Sequence, residues 1–323
     1  MCWIASAFRW LARAGAGLAL GLALAAGAQA VGPFTHLILA EKVAPLAPDQ
    51  ARDPVVRQAL RLGALAVDAG YYSDDTPGLG EAAHQVQPWR VCQNLLELAQ
   101  DDAQKAFALG YLSHALIDRL AHQELVNPLA KGPFSRQPLD HKRVEWGLDC
   151  WYLARPENQW LWQVGDLQNP SARELWRAAL NQAWGVDIAP EYLDTALAAE
   201  MHEVWRLPRV FWFSGQTTRP GVWWGNALGW ALHDTLRPLT VAVLRWQGGH
   251  LNQIAVLDAR PARPGDISRL RRLLDQTVSQ AQAILAGGAW PEGDLDADPN
   301  CAAGDCPDLR AAQTWLRGLG AME

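Results

Sequence analysis

The sequence predicts an all-α fold, a multi-helix single domain. Across its 323 residues apolar side chains return at intervals of three and four, and two-residue alternation is rare. Clusters of Pro, Gly and Asp cut the chain into helix-length pieces. The first thirty residues, "MCWIASAFRWLARAGAGLALGLALAAGAQA", stand apart from this pattern. Arg9 and Arg13 precede an Ala/Gly/Leu run that closes on the small-x-small site Ala28-Gln29-Ala30, the layout of an export signal. The run is too short and too rich in small residues for a membrane span, which needs about 20 apolar residues. The expectation is a signal peptide over 1–30, cleavage before Val31, and a secreted or periplasmic product. Its helical domain covers 31–290, and a Cys-containing appendage covers 291–323.

Loss of the signal removes two arginines and no acid, moving the formal charge from -6 to -8. That acidity argues against a broad electrostatic platform for nucleic acid, so no stable nucleic-acid partner is expected.

In chain order, the periodicity predicts helices over 34–45, 52–66, 88–98, 102–125, 138–155, 171–184, 190–205, 222–247 and 265–287. The second ends in "LGALAVDAGYY", where Asp68 closes an apolar run, and "YYSDDTPGLG" breaks the chain after it. "NPLAKGPFSRQP" separates the long helix over 102–125 from the next, and "DARPARPGD" precedes the last. Of seventeen tryptophans, twelve fall between residues 146 and 246 and are expected mainly in the core. Trp223-Trp224, after "TTRPGV", would either staple a helix start or form an exposed aromatic tip for lipid or substrate, and peripheral contact with a membrane surface is a possible partner interaction. The last segment, "GGAWPEGDLDADPNCAAGDCPD", is acidic and Gly/Pro-rich, and is read as irregular before a short terminal helix. Four cysteines remain after export, with Cys301–Cys306 the expected bridge and Cys92–Cys150 the remaining pairing.

Chemistry concentrates in "GYLSHALIDRLAHQE". Steps of four advance about 40° around a helix, so His114, Asp118 and His122 share an arc of about 80° and climb about 12 Å. Three such side chains cannot converge on one ion, which points to two metals with Asp118 between them. "DHKRVEWGLD" places His141 and Glu145 four apart on a second helix, with Asp149 a turn further as an outer partner or surface residue. Imidazole plus carboxylate suits zinc. Lys142 and Arg143 belong to the solvated face in this reading. Asp68, buried beside small residues, needs a metal or hydrogen-bond donors. His84 forms an ExxH spacing with Glu81, but a di-iron bundle requires two such units and two more glutamates.

The ordered set "GPFTH" with His36, "GALAVD" with Asp68, then His84, "GYLSHALIDRLAH" and "HKRVE" resembles the bacterial zinc-dependent phospholipase C family. That family is related to the single-strand-specific zinc nucleases, and the match spans residues 31 to about 155. The resemblance implies a helical fold with two to three Zn2+ ions in a cleft. Asp68, His84, His114 and Asp118 would hold one zinc, and His122, His141 and Glu145 a second. His36, the shared Asp118 and the amine and carbonyl of Val31 would hold a third. Family enzymes commonly begin with Trp where Val31 stands, and in the best-known members the last helix histidine follows the Asp by six residues rather than four. The implied activity is phosphodiester cleavage by a zinc-activated hydroxide that Asp68 orients or deprotonates. A phospholipid is the implied substrate; Tyr71, Tyr72 and Trp89 are read as substrate contacts that would serve either a choline cation or a base. The alternatives are a nuclease or 3'-nucleotidase on the same metals, against which Glu145 weighs because the nucleases tend to use Asp there, and a non-catalytic periplasmic zinc-binding protein.

Overall fold

The computed structural model describes residues 32–48, 53–73, 75–76, 78–134, 136–165, 167–213, 216–219, 259–298 and 306–320. Every described element is helical. In chain order these are α1 Pro33–Val43, α2 Pro54–Ala66, α3 Leu79–Gln85, α4 Pro88–Leu98 and α5 Asp102–Ala121. They continue with α6 Asn127–Ala130, α7 Pro138–Leu153, α8 Pro170–Trp184, α9 Pro190–Phe213, α10 Pro264–Leu285 and α11 Pro307–Gly318. Among these, α1, α2, α4, α7, α8, α9, α10 and α11 open on proline. Its fixed φ suits a first helical turn, and its missing N–H would have had no intrahelical partner there. Side-chain caps reinforce the starts: Asp53 accepts from Val55 N, Asp101 from Gln104 N, and Asn169 from Ala172 N. No helix among the described residues is long and apolar enough to cross a membrane.

Two features of the packing set up the site. First, α2 and α5 cross almost backbone to backbone. A Cβ added at Gly63 would lie 2.0 Å from the Phe107 carbonyl oxygen, and one at Gly110 would lie 2.0 Å from that of Leu60. One turn beyond this crossing lie Ala64 and His114, and Asp68 follows the end of α2. Second, α1 is capped from another helix. Asp149 on α7 accepts from Phe34 N at 3.1 Å, Thr35 N at 2.9 Å and Thr35 Oγ1 at 2.8 Å, which fixes the turn that carries His36. Burial pushes the Asp149 carboxyl up to about 7, against those three donors. Asp149 is thus the outer partner that the sequence allowed, acting on the backbone of α1.

The structure departs from the sequence reading at several places. Helix α3 lies in a stretch with no expected helix, because its seven residues are too short for a periodicity to register. Helix α9 runs through Pro208 to Phe213 instead of ending near 205. The long helix changes to a π-turn at His122–Val126. The expected Cys92–Cys150 bridge is not formed: each is free and buried, on α4 and α7 respectively, where a thiol packs as a small apolar group. Cys306 is disulfide-bonded, and Cys301 lies outside the described residues. So do Val31, Trp223, Trp224 and the helix expected over 222–247. Trp146, Trp162, Trp176 and Trp184 are buried as expected, while Trp205 is exposed.

Candidate metal centre

Eight donor side chains come together: His36 from α1, Asp68 after α2, His84 from α3, His114 and Asp118 from α5, His122 at the π-turn, and His141 and Glu145 from α7. None is more than 1% exposed. Two groups have one donor atom per residue mutually within 4.8 Å: Asp68, His84, His114 and Asp118, and separately His122, His141 and Glu145.

In the first group the donor spacings are 3.0 Å (His114 Nε2–Asp118 Oδ2), 3.2 Å (His84 Nε2–Asp118 Oδ2), 3.3 Å (His84 Nε2–Asp68 Oδ1) and 3.7 Å (His114 Nε2–Asp68 Oδ1). Zinc bonds of about 2.0–2.2 Å in tetrahedral geometry separate their donors by roughly 3.3–3.6 Å. The four spacings, 3.0–3.7 Å, bracket that range.

The ring tautomers fit the same purpose. His84 Nδ1 donates to the Gly80 carbonyl at 2.9 Å and His114 Nδ1 to that of Ala64 at 2.7 Å, so each neutral ring turns a lone pair on Nε2 inward. In the second group His141 Nε2 donates to Asn127 Oδ1 at 2.8 Å, which leaves Nδ1, 2.8 Å from Glu145 Oε1, as the inward atom. An outer acceptor that fixes the tautomer of a metal-bound histidine is a general feature of such sites.

Charge completes the picture. Burial opposes ionisation of His84 and His114, but Asp118 and Asp68 outweigh it and raise both above 6.5. Burial likewise opposes the Asp118 carboxylate, and His114 and His36 outweigh it and hold Asp118 well below the usual carboxylate range. His36 is lowered to about 4 by burial and by His114, against which it stacks at 3.6 Å. His122 is lowered well below 6.5 by burial and by His141. Buried polar atoms without hydrogen bonds gather here: both nitrogens of His36 and His122, both oxygens of Asp68, Asp118 Oδ1 and Glu145 Oε2. Leaving that many polar atoms unmatched in a protein interior is costly unless a cation takes them up.

The two oxygens of Asp118 face different sets of donors, and not the pair of histidines on its own helix stripe. Its Oδ2 faces His84 and His114, while its Oδ1 lies 3.3 Å from His36 Nε2. His122 belongs to the other group, because the π-turn begins at that residue and α7 supplies its neighbours. Lys142 is a second correction: it is 1% exposed, 3.3 Å from Glu145 Oε2 and beside the Phe134 and Trp146 rings, so it is no part of a solvated face. Of the aromatics, Tyr71 is buried with its ring 5.1 Å from that of His84, and Trp89 is buried with Nε1 donating to the Gly293 carbonyl at 2.8 Å. Tyr72 is half-buried.

Sequence reasoning missed Asn127, Gln85 and Asp296. Asp296, from the acidic C-terminal segment, is buried, with Oδ1 3.3 Å from His122 Nδ1 and Oδ2 accepting from Gln85 Nε2. The one available signal was the alternation of acids in "GDLDAD".

Residues 35–185 match the model of a family described as zinc dependent phospholipase C. Comparison with curated proteins and with solved structures gives no match.

Proposed function

We propose that this chain, whose residues 35–185 belong to the zinc-dependent phospholipase C family, is an exported phospholipase that cleaves the glycerol–phosphate bond of phospholipids. Family and site support a zinc-dependent phosphodiesterase; substrate, export, ion count and residue roles are our reading. The observation that carries it is the pair of buried donor groups, 68/84/114/118 and 122/141/145, with His36 against the free oxygen of Asp118. Asp68, His84, His114 and Asp118 would hold one zinc, and His122, His141 and Glu145 a second. His36 and Asp118 Oδ1 would hold a third with the backbone of Val31.

Bound zinc supplies Lewis acidity toward a phosphoryl oxygen and acidifies water for attack. The chain's own contribution is orientation and proton handling. Gly80 and Ala64 carbonyls hold two imidazoles in the tautomer that presents Nε2, and Asn127 holds a third that presents Nδ1. Asp68, with neither oxygen hydrogen-bonded, is the carboxylate free to accept a proton from attacking water. Phosphodiester cleavage on phosphatidylcholine would give diacylglycerol and a phosphorylated head group. Export follows from the reading of residues 1–30 as a signal, and the disulfide at Cys306 is consistent with an oxidising compartment. Peripheral contact with a membrane surface belongs to the same proposal.

The experiment combines metal analysis of the purified protein with hydrolysis of phosphatidylcholine and of single-stranded DNA, with and without chelator. Asp118→Asn should abolish hydrolysis and bound zinc together. Cleavage of DNA without action on phospholipid would replace the substrate assignment. The burial of all eight donors favours a second reading, a zinc-holding protein without turnover; zinc content with no hydrolysis of either substrate would establish it.

A further inference from the structure

The segment around residues 293–298 lies against both donor groups and is tied at many points. Leu295 N donates to the His84 carbonyl at 3.1 Å, Trp89 Nε1 to that of Gly293 at 2.8 Å, and Arg119 to that of Asp294 at 3.2 Å. Asn127 Nδ2 donates to the Asp296 carbonyl at 3.3 Å, and its Oδ1 accepts from His141. One amide therefore joins the tautomer of His141 to the backbone of Asp296. Ala297, next in the chain, takes a left-handed φ of 50°, a conformation that costs a residue with a Cβ and persists only where its surroundings enforce it.

His84, His114 and His141 each have one ring nitrogen held from outside, by the Gly80 carbonyl, the Ala64 carbonyl and the Asn127 amide. Asp296 stands in that place for His122. Its Oδ1 lies 3.3 Å from His122 Nδ1, and its backbone acts on the same ring. The carboxylate is itself held, because it is 3% exposed and its Oδ2 accepts from Gln85 Nε2. A metal-bound imidazole is neutral and keeps one N–H. With Nδ1 turned to a carboxylate that proton sits on Nδ1, and Nε2 is left as the lone-pair atom, as it is in His84 and His114.

We infer that Asp296 is the positioning residue of His122, and that with Asn127 behind His141 the C-terminal segment orients both histidines of the second donor group. The donors remain His122, His141 and Glu145; Asp296 acts through His122. Full affinity at the second group would then depend on residues outside the matched stretch 35–185. This inference rests on the zinc reading above.

The test uses the full chain in a His114→Ala background, which disables the first group, stripped of metal and titrated with Zn2+ against a chromophoric chelator. Asp296→Ala should weaken the remaining ion roughly 10–100-fold, the cost of losing an outer partner. Asp296→Asn should recover most of that loss. Its amide oxygen can still accept from Nδ1, and its NH2 can meet the unpartnered Oε1 of Gln85 once that amide turns. A second readout is the NMR of Cd2+-loaded protein with isotope-labelled histidine, in which metal–nitrogen couplings identify the ring atom bound. His122 should couple through Nε2 in the parent and the Asn variant, and through both ring nitrogens or neither in the Ala variant. Circular dichroism checks the fold of each. Unchanged affinity and couplings in Asp296→Ala overturn the proposal. Equal losses in the two variants with unaltered couplings also overturn it, as the mark of a merely structural role. A cadmium resonance that reports the loss of an oxygen donor would overturn it by making Asp296 a ligand. Failure of the unaltered chain to bind any ion would instead remove the zinc reading itself.

Discussion

Gly110→Ala tests whether the metal site depends on how closely two helices approach. The new Cβ would stand 2.0 Å from the Leu60 carbonyl oxygen, whereas even favourable carbon–oxygen contacts stay beyond about 3.3 Å. Relief requires α2 and α5 to separate locally by roughly 1.3 Å, the difference between those two distances. One turn away, that shift pulls the Ala64 carbonyl from His114 Nδ1, now at 2.7 Å, and Asp68 from His114 Nε2, now at 3.7 Å. Overpacking costs about 2 kcal/mol, and the strained buried hydrogen bond adds about 1 kcal/mol. The better helix propensity of alanine returns about 1 kcal/mol. The expected net loss is about 2 kcal/mol, or a drop in Tm of about 3 °C for a chain of this length. Zinc affinity at the first group should fall roughly 10–100-fold, because the partner that orients His114 has moved. Urea denaturation of the metal-free protein and chelator competition measure the two effects separately. Stability within about 0.5 kcal/mol of the parent together with unaltered zinc affinity would refute the claim that the Gly63/Gly110 crossing sets the site.

Three further outcomes follow from the same geometry. In the metal-free protein burial opposes charging His84 and His114, yet Asp118 and Asp68 raise both, so their stabilisation is complete below pH 6.5 and is lost as the pH rises through their folded values. His36, lowered to about 4, and His122, also lowered, do the reverse and lose stability as the pH falls from 6.5. Thermal melts of metal-free protein should therefore peak near pH 6.5; a monotonic rise into alkaline pH would contradict this. The increment in Tm on adding zinc should instead grow with pH, since the ion displaces protons from the same rings. Asn127→Ala should weaken the second ion roughly 10–100-fold while leaving the first intact, as read by zinc competition in a His114→Ala background.

The helical class, most helix positions and the donors on two helices were legible in one dimension, because amphipathic periodicity and the i, i+4 spacing of His114/Asp118/His122 and His141/Glu145 are local properties; Asp68 and His84 stood as isolated candidates, and His36 joined them only through the family resemblance. The family resemblance assigned His122 to a second group, although the stripe alone put Asp118 between two metals on its own helix. That partition needed tertiary structure, since the π-turn at His122 and the approach of α7 decide it. The same holds for Lys142, whose charge reads as surface and whose position under Phe134 and Trp146 does not. Backbone carbonyls at Gly80 and Ala64 leave no trace in side-chain pattern at all. Asp296 lies 174 residues from His122 in number, so only the folded chain sets them 3.3 Å apart. Sequence by itself determined which chemistry the residues can perform, because donor atoms are intrinsic to residue type. Which donors share an ion was decided by packing, because coordination is a matter of distances of about 3 Å that only long-range contacts fix.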